Sequence, residues 1–232
     1  MTAVITGTTK GIGAAIAEQF ASQGFDLVAC SRNIKDLEQF KDELESKFNI
    51  KVYTFQADLS KTNEVQNLAA FINQMNQPIE VLVNNAGSYI PGGVLSEEEG
   101  ALEFMINTNL YSAYHLTRGI IDKISTNGKG YIFNICSIAG LQAYHNGGAY
   151  SISKFALNGF TKNLREELKE KQVRVSAVHP GATMSKSWEG SGISEDRIME
   201  AKDIAIAIWS AYTLSAKAVV EDIILRPQLG DL

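Results

Sequence analysis

The alternation of short β-rich runs with longer helical patterns constrains the fold of this chain more than any other feature. Several runs are nearly continuous in Val, Ile and Leu, as in strands of a sheet that is covered on both faces. Alternating strands and helices form right-handed βαβ units, so the sequence predicts an α/β fold with a doubly wound parallel sheet of about seven strands, flanked by helices on both faces. The predicted strands are 2–6, 26–30, 51–56, 79–83, 130–135, 173–178 and 219–225, and the predicted helices lie near 12–23, 33–48, 61–75, 98–125, 148–171 and 202–215.

Length and composition limit the classes of protein that fit. The 232 residues suit one sizeable core and contain no repeat or linker, so a single domain over 1–232 is expected. The net charge of −5 argues against a nucleic-acid surface, which requires a clustered basic face. No apolar run has the length of a membrane span and the N-terminus lacks a signal-peptide pattern, so a cytoplasmic protein is expected. Cys30 and Cys136 are interpreted as buried free thiols, and no metal site is predicted.

A glycine-rich segment, TGTTKGIG at 6–13, follows the first predicted strand and opens the first helix. Gly7 would let the chain leave the strand sharply, Gly11 would let the backbone approach a pyrophosphate, and Gly13 would allow close packing of helix on sheet. The helix N-terminus would present free N–H groups to the anion. A glycine-rich turn of any βαβ protein is the alternative, but the position directly after the first strand favours a dinucleotide site.

The end of the second predicted strand indicates which dinucleotide binds. An NAD site has an acidic residue there to hold the ribose 2′-hydroxyl. This chain has Ser31 and Arg32 instead, and Lys10 in the glycine loop is a second cation. Two cations and no carboxylate suit a 2′-phosphate, so NADP(H) is the predicted cofactor. The alternative is that both cations are ordinary solvated charges.

The segment YSISK places Tyr150 and Lys154 four residues apart, on one face of a predicted helix. Most pairs with this spacing are surface neighbours without a chemical role. A free tyrosine has a pKa of about 10 and is a poor acid–base group at neutral pH. A neighbouring ammonium, aided by the positive nicotinamide of NADP⁺, would stabilise the phenolate and lower that pKa, which would turn Tyr150 into an acid–base catalyst.

Together these motifs resemble the short-chain dehydrogenase/reductase family, in its short single-domain form, over essentially the whole chain. In chain order the shared motifs are TGTTKGIG at 6–13, Asp58-Leu59, NNAG at 84–87, Asn109, Ser137 in ICSIAG, YSISK at 150–154 and PGAT at 180–183. Each motif alone is weak, whereas their joint order is specific, and Ser137 lies 13 residues before Tyr150, as in the family pattern. The nearest resemblance is to 3-oxoacyl-[acyl-carrier-protein] reductases. Lys171 matches one of their two basic docking positions, but the other is Gly128.

The resemblance implies a Rossmann-type fold and four catalytic residues, Asn109, Ser137, Tyr150 and Lys154. Tyr150 would be the general acid/base, Ser137 would hold and polarise the carbonyl oxygen, and Lys154 would also bind the nicotinamide ribose. Asn109 would anchor a water in a proton relay to Lys154. The alternatives are a packing or turn role for Asn109 and a local backbone hydrogen bond for Ser137.

The resemblance also implies a set of cofactor contacts. They are Gly7, Thr8, Lys10, Gly11, Ile12, Gly13, Ser31, Arg32, Asp58, Leu59, Asn85, Ala86, Gly87, Tyr150, Lys154, Pro180, Gly181 and Thr183. Asp58 would contact the adenine edge, and it could also cap a helix that begins near Ser60. Thr183 would hold the carboxamide.

Two functions of different classes are consistent with these residues. The first is an NADPH-dependent oxidoreductase that reduces the carbonyl of a ketone or aldehyde, including a 3-oxoacyl thioester, to an alcohol. The alternative is a non-catalytic NADP-binding sensor or scaffold on the same fold. A sensor would not need the full Asn–Ser–Tyr–Lys set, so the sequence favours an enzyme with a small-molecule carbonyl substrate. Docking of an acyl carrier protein stays an open alternative.

Two further segments predict how the site is closed and how the protein assembles. The irregular segment 182–199 is expected over the carboxyl ends of the strands, where it would form an apolar lid or pack against the domain through Met184, Trp188, Ile193, Ile198 and Met199. The predicted helices 98–125 and 148–171 are apolar on more than one face. By resemblance they pair across a two-fold axis, so a homodimer or homotetramer is expected.

Overall fold

The computed structural model describes residues 1–125, 128–184, 192 and 194–231. Its strands are β1 (Thr2–Thr6), β2 (Asp26–Ser31), β3 (Val52–Gln56), β4 (Val81–Asn84), β5 (Tyr131–Ile135), β6 (Arg174–Pro180) and β7 (Asp222–Leu225). They form one sheet in the order β3-β2-β1-β4-β5-β6-β7, and every neighbouring pair is parallel. The predicted doubly wound parallel sheet of about seven strands is confirmed.

Helices cover both faces of this sheet. They are α1 (Gly11–Ser22), α2 (Ile34–Lys47), α3 (Thr62–Gln74), α4 (Ala101–Ile106), α5 (Ser112–Ile120), α6 (Gly148–Leu168) and α7 (Ala201–Tyr212). Side chains alternate between the faces of a strand, and in β1 Ala3 and Ile5 pack with α1, α2 and α7, whereas Val4 packs with α3, α5 and α6. None of the helices in the described ranges is long and apolar enough to cross a membrane.

The order of the strands places the functional site. The chain winds from β1 through β2 to β3 on one side and then returns to place β4 beside β1, with Ile5 opposite Val83. The loops that leave β1 and β4 therefore run in opposite directions from the same edge of the sheet. A crevice opens where they part, and this is the position at which doubly wound sheets bind ligands.

The predicted helix over 98–125 is broken in the structure. Gly100 has a left-handed φ of 87°, and helix α4 begins only after it. A π-helical segment, Asn107–Tyr111, then separates α4 from α5. The apolar spacing predicts the helical region but does not report a change from α to π hydrogen bonding.

The last strand is shorter than the predicted 219–225. Val220 lies outside β7, because its backbone bonds to side chains instead of to a neighbouring strand. Its carbonyl oxygen accepts from the Ser176 hydroxyl, and its N–H donates to the Tyr131 hydroxyl at 3.3 Å. The two cysteines are buried free thiols, as predicted, and burial raises the pKa of Cys30 to about 12 and that of Cys136 to about 11.

Candidate active site

A cleft of about 870 Å³ opens over the carboxyl ends of the strands, where the strand order reverses. The sequence-predicted residues that line it are Gly7, Lys10, Gly11, Ile12, Gly13, Ser31, Arg32, Asp58, Leu59, Asn85, Ala86, Gly87, Ser137, Tyr150, Lys154, Pro180, Gly181 and Thr183. Thr8 and Asn109 are buried behind the cleft wall, and Thr9 lines the cleft in place of Thr8. The fold therefore brings almost all of the predicted residues to one site.

The glycine loop turns sharply at Gly7, whose φ of 70° lies in the left-handed region that favours glycine. Gly13, in the first turn of α1, packs directly against this turn. A Cβ atom at Gly13 would come within 2.1 Å of the Gly7 carbonyl oxygen, so no larger residue fits. The N-terminus of α1 is thereby held at the cleft, where its free N–H groups favour an anion.

Two side chains join the glycine loop to the loop after β4. The Thr6 hydroxyl accepts from the backbone N–H groups of Asn85 and Ala86, both at 2.9 Å. The Asn85 amide donates to the carbonyl oxygens of Thr6 at 2.8 Å and Gly7 at 3.2 Å. The two loops that flank the crevice are therefore held as one unit.

At the outer end of the cleft, Arg32 and Lys10 lie where a 2′-phosphate is predicted, but a carboxylate lies with them. The Nζ atom of Lys10 is 3.2 Å from the Asp36 carboxylate, and their side chains are 50% and 35% exposed. Asp36 lies in the first turn of α2, which Asn33 caps by accepting from the N–H groups of Lys35 and Asp36. A search for acids at the end of β2 alone overlooks Asp36. The capping asparagine is the sequence signal that places it in the cleft.

Asp58 lines the cleft and closes a turn. Its carboxylate accepts from the backbone N–H of Ser60 at 3.1 Å and from the Ser60 hydroxyl at 2.8 Å. Helix α3 begins later, with Lys61 as its N-cap residue, so the helix-cap role for Asp58 is wrong. Burial opposes the charged form of Asp58, but the Ser60 hydrogen bonds and the Lys61 charge outweigh it and lower the pKa. Asp58 is therefore an ionised acceptor on the cleft wall.

At the inner end of the cleft, Ser137 meets Tyr150. Ser137 follows β5, and its hydroxyl accepts from the Ala139 N–H at 3.1 Å as a short 3-10 turn begins. Tyr150 lies in the first turn of α6 and is partly buried. The Ser137 hydroxyl lies near the Tyr150 phenol and is one of the groups that lower the pKa of Tyr150. The local backbone bond that was the alternative role for Ser137 therefore exists, and it holds the hydroxyl beside the phenol.

Lys154 is buried one helical turn further along α6. Its Nζ atom donates to the carbonyl oxygen of Ile135 at 2.8 Å and lies 5.8 Å from the centre of the Tyr150 ring. Burial disfavours the ammonium and lowers the pKa of Lys154 to about 8. The Ile135 bond uses one of the three protons of the ammonium, so Lys154 can donate to a ligand in the cleft as well.

The expected lowering of the Tyr150 pKa is not produced by the side chains of this chain. Burial raises the pKa of Tyr150, and the nearby Ser137 hydroxyl offsets this only in part. The Lys154 ammonium bonds to a backbone carbonyl, not to the phenol oxygen. In the chain by itself Tyr150 is therefore a protonated phenol at neutral pH, and phenolate stabilisation by Lys154 together with the positive nicotinamide of NADP⁺ stays a prediction.

Asn109 lies behind these residues in the π-helical segment, a type of helix defect that is frequent at functional sites. Its amide oxygen accepts from the Ser88 N–H at 2.7 Å. Its amide nitrogen donates to the Ser88 carbonyl at 3.0 Å and to the Ser153 hydroxyl at 2.9 Å. The side chain therefore fastens the loop after β4 to α6, and because both of its amide protons are used, it could bind a water only through the second lone pair of Oδ1.

A buried histidine, His179, contacts the main chain of Ser137. His179, in β6, is fully buried, and its Nδ1 lies 3.1 Å from the Ser137 carbonyl oxygen. The Nε2 atom lies 3.1 Å from the Asp222 carboxylate, on β7. The three histidines are scattered in the sequence, and only the adjacency of His179 to Pro180 associates it with the site.

The PGAT segment closes the nicotinamide side of the predicted site. Gly181 donates from its N–H to the Leu225 carbonyl at 2.8 Å. The Thr183 hydroxyl donates to the Gly181 carbonyl at 3.0 Å. Thr183 is buried and lines the cleft two residues after the glycine. Its side chain therefore lies on the cleft wall with its hydroxyl oxygen still able to accept.

The ends of the irregular segment 182–199 are paired. Met184 donates from its N–H to the Met199 carbonyl at 2.8 Å, and Met199 donates to the Ala182 carbonyl at 3.0 Å. Ile198 is buried and Met199 packs on the core, so for these two residues packing is the correct alternative. Trp188 and Ile193, the other large apolar residues of the predicted lid, lie outside the described residues.

A family model described as short chain dehydrogenase matches residues 1–195. The chain is 34% identical to a sepiapterin reductase of Chlorobaculum tepidum over 99% of its own length and 97% of that protein. The chain therefore belongs to the short-chain dehydrogenase family, as its motifs predict. The finer resemblance to 3-oxoacyl-[acyl-carrier-protein] reductases stays a prediction.

Solved structures of the family have the same fold. An alcohol dehydrogenase of the archaeon Thermococcus sibiricus, complexed with 5-hydroxy-NADP, superposes with a TM-score of 0.91 at 25% identity and covers 100% of this chain and 98% of that one. A metagenomic short-chain oxidoreductase in complex with NADP gives a TM-score of 0.84 at 30% identity, with coverage of 98% and 97%.

Proposed function

We propose that this protein is an NADPH-dependent oxidoreductase that reduces the carbonyl group of a ketone or aldehyde to an alcohol, with Tyr150 as the general acid/base. The observation that carries the proposal is the meeting of Ser137, Tyr150 and buried Lys154 at the inner end of the cleft that begins at the glycine loop. The complexes of related oxidoreductases with NADP and 5-hydroxy-NADP support the choice of cofactor.

The residues present fit a dinucleotide. The cradle at Gly13 excludes any Cβ atom, which keeps the start of α1 open to a pyrophosphate. Gly87 is similarly close to the catalytic groups, since a Cβ there would lie 3.1 Å from Asn109 Oδ1 and 3.5 Å from Lys154 Nζ. Lys154 would donate to the nicotinamide ribose, and Asp58 would accept from the adenine edge. Arg32 and Lys10 would hold the 2′-phosphate.

Bound NADPH supplies the hydride that reduces the carbonyl carbon. As the hydride arrives, negative charge builds on the substrate oxygen, and the Ser137 hydroxyl stabilises that charge by donating to it. Tyr150 then transfers its phenolic proton to the same oxygen. A raised pKa suits this direction, because the phenol must be protonated before the reaction. Burial lowers the pKa of Lys154 to about 8, so its Nζ holds a proton that can be passed towards Tyr150 after turnover.

A substrate panel tests this proposal. It contains sepiapterin, butane-2,3-dione, a simple aldehyde and a 3-oxoacyl thioester, and turnover is followed by NADPH absorbance. Tyr150→Phe should abolish reduction and leave NADPH binding nearly intact, because it removes only the proton donor. Tyr53→Phe removes a hydroxyl from β3, outside the cleft, and is the matched control. Binding of NADPH without reduction of any carbonyl would instead support the sensor or scaffold alternative.

We also infer that the chain forms one dinucleotide-binding domain and assembles as a homodimer or homotetramer. Helix α6 presents Ile152 and Phe155 outwards, 42% and 43% exposed, with exposed Gly159 on the same face. An apolar stripe on a long helix suits pairing with a second copy across a two-fold axis. Analytical ultracentrifugation at micromolar concentration should show a dimer or larger, and Phe155→Glu should shift it towards monomer. A wild-type monomer would contradict the proposal.

A further inference from the structure

Beyond Tyr150 the wall of the cleft is aromatic. The Tyr89 ring, on the loop after β4, packs edge-to-face on the Tyr150 ring with centroids 4.9 Å apart. Tyr144, on the segment that leads into α6, lies near Tyr89 and lines the cleft with it. Phe104 of α4 lines the same cleft. Three aromatic side chains therefore line the cleft, and one of them, Tyr89, lies directly against Tyr150, beside the position that a reacting carbonyl must occupy.

These tyrosines are not parts of the core. Tyr89 is 44% exposed and Tyr144 is 43% exposed, although both line the cleft. Partly exposed aromatic rings offer large, stiff apolar faces, and they prefer flat partners in edge-to-face or offset stacks. An exposed aromatic surface inside a cleft is a ligand surface more often than a packing surface.

The charged residues of the cleft lie elsewhere. Among the described lining residues they are Lys10, Arg32, Asp36, Asp58, Lys154 and Asp231. The first four belong to the loops after β1, β2 and β3 and to the start of α2. Asp231 lies beside Gly181, and Lys154 is bonded behind Tyr150 to the Ile135 carbonyl. Within the described lining, the aromatic wall therefore offers no counter-ion to a charged substituent.

One buried hydroxyl belongs to the same wall. Thr108 lies next to Asn109 in the π-helical segment and lines the cleft, yet it is only 8% exposed. Its Oγ1 atom has no hydrogen-bond partner among the described residues. A buried hydroxyl without a partner is costly, and a polar atom of a ligand would satisfy it.

We propose that Tyr89, Tyr144 and Phe104 form a subsite for a flat aromatic or conjugated group attached to the reacting carbonyl, so that the substrates are uncharged aryl or conjugated carbonyl compounds. A second polar atom of the substrate bonds to Thr108. This assignment rests on the proposed carbonyl reduction and names its substrate class. It makes Tyr89 and Tyr144 specificity-determining residues.

Two diketones that differ only in the flatness of one ring test the subsite. 1-Phenylpropane-1,2-dione and 1-cyclohexylpropane-1,2-dione carry the same reacting group and the same number of ring carbons. The ratio of their kcat/KM values should fall about two- to tenfold in Tyr89→Leu, the range expected for one aromatic pair. Tyr144→Leu should lower the ratio as well. Comparing the ratio between variants removes the difference in intrinsic reactivity of the two ketones.

Three controls separate the ring from other effects. Tyr89→Phe and Tyr144→Phe keep the rings and should keep the ratio. Leu95→Ala changes a fully exposed residue of the same loop that does not line the cleft. It should leave both kcat/KM values unchanged.

The possible outcomes distinguish the two proposals. If wild type reduces both diketones and both leucine variants keep the wild-type ratio, the aromatic subsite is wrong while carbonyl reduction stands. If wild type binds NADPH but reduces neither diketone nor any member of the substrate panel, carbonyl reduction itself is wrong. A fall in the ratio with the leucine variants and not with the phenylalanine variants supports the subsite.

Discussion

Replacing Arg32 with alanine should weaken the binding of NADPH but not that of NADH, because the two dinucleotides differ only in the 2′-phosphate. Arg32 is exposed at the end of β2 and lines the outer end of the cleft. A charge-assisted hydrogen bond contributes about 1.5–3 kcal/mol. The site is open to solvent, so the lower figure applies, and about 1.5 kcal/mol corresponds to about tenfold weaker binding of NADPH. NADH should bind as it does to wild type.

Replacing Asp36, which lies at the same end of the cleft, should have the opposite effect on NADPH affinity. Its carboxylate is 3.2 Å from Lys10 Nζ, so a phosphate oxygen bonded to Lys10 lies at most about 6 Å from Asp36. In water two unit charges at about 6 Å repel by about 0.7 kcal/mol, and a phosphate carries about 1.5–2 charges. Removing the carboxylate with Asp36→Asn should therefore tighten NADPH by about 1 kcal/mol, or about fivefold. NADH should weaken, because it loses an acceptor for the ribose hydroxyl.

Titration of both dinucleotides by calorimetry, at low and at high salt, measures these effects. High salt should reduce the difference between NADPH and NADH, because charges this exposed are screened. Lys35→Ala is the matched control, since this exposed cation lies one residue from Asp36 but does not line the cleft. Tighter binding of NADH than of NADPH by wild type would refute the reasoning. Equal effects of Arg32→Ala on both dinucleotides would refute the placement of the phosphate.

Three other perturbations test the site. Because burial lowers the pKa of Lys154 from 10.5 to about 8, the folded state binds fewer protons than the unfolded state over that window. The free energy of unfolding of wild type should rise with pH there relative to Lys154→Met; parallel denaturant-derived curves would contradict this. Asp222→Asn removes the carboxylate behind His179 and should lower kcat up to about tenfold with NADPH affinity unchanged, so an unaltered kcat would exclude a supporting role. Gly13→Ala should destabilise the fold by about 1–3 kcal/mol and weaken both dinucleotides, and a wild-type melting temperature would contradict the overlap with Gly7.

Much of the fold follows from patterns that are local in the sequence. Buried parallel strands form apolar runs and helices have apolar residues spaced three or four apart, so the positions of the seven strands along the chain could be predicted without contacts. The glycine loop and the YSISK segment could also be recognised from the sequence, since a sharp turn at Gly7 and the spacing of Tyr150 and Lys154 depend only on neighbouring residues. The lengths of α4 and β7 could not be predicted, because the π-helical segment and the backbone hydrogen bonds of Val220 depend on contacts with distant parts of the chain.

The sequence by itself therefore determined the class of fold, the residues that meet at the cleft and the dinucleotide that their charges suit. Only the tertiary structure decided what surrounds each of them. Asp36 reaches Lys10 across 26 positions of the chain, His179 reaches Asp222 across 43, and Tyr89 reaches Tyr150 across 61. In the chain by itself the pKa of Tyr150 is raised although an ammonium lies one helical turn away, because burial of the phenol and the bond of that ammonium to the Ile135 carbonyl outweigh proximity along a helix. Burial and direction are properties of the assembled chain, and no short stretch of sequence contains them.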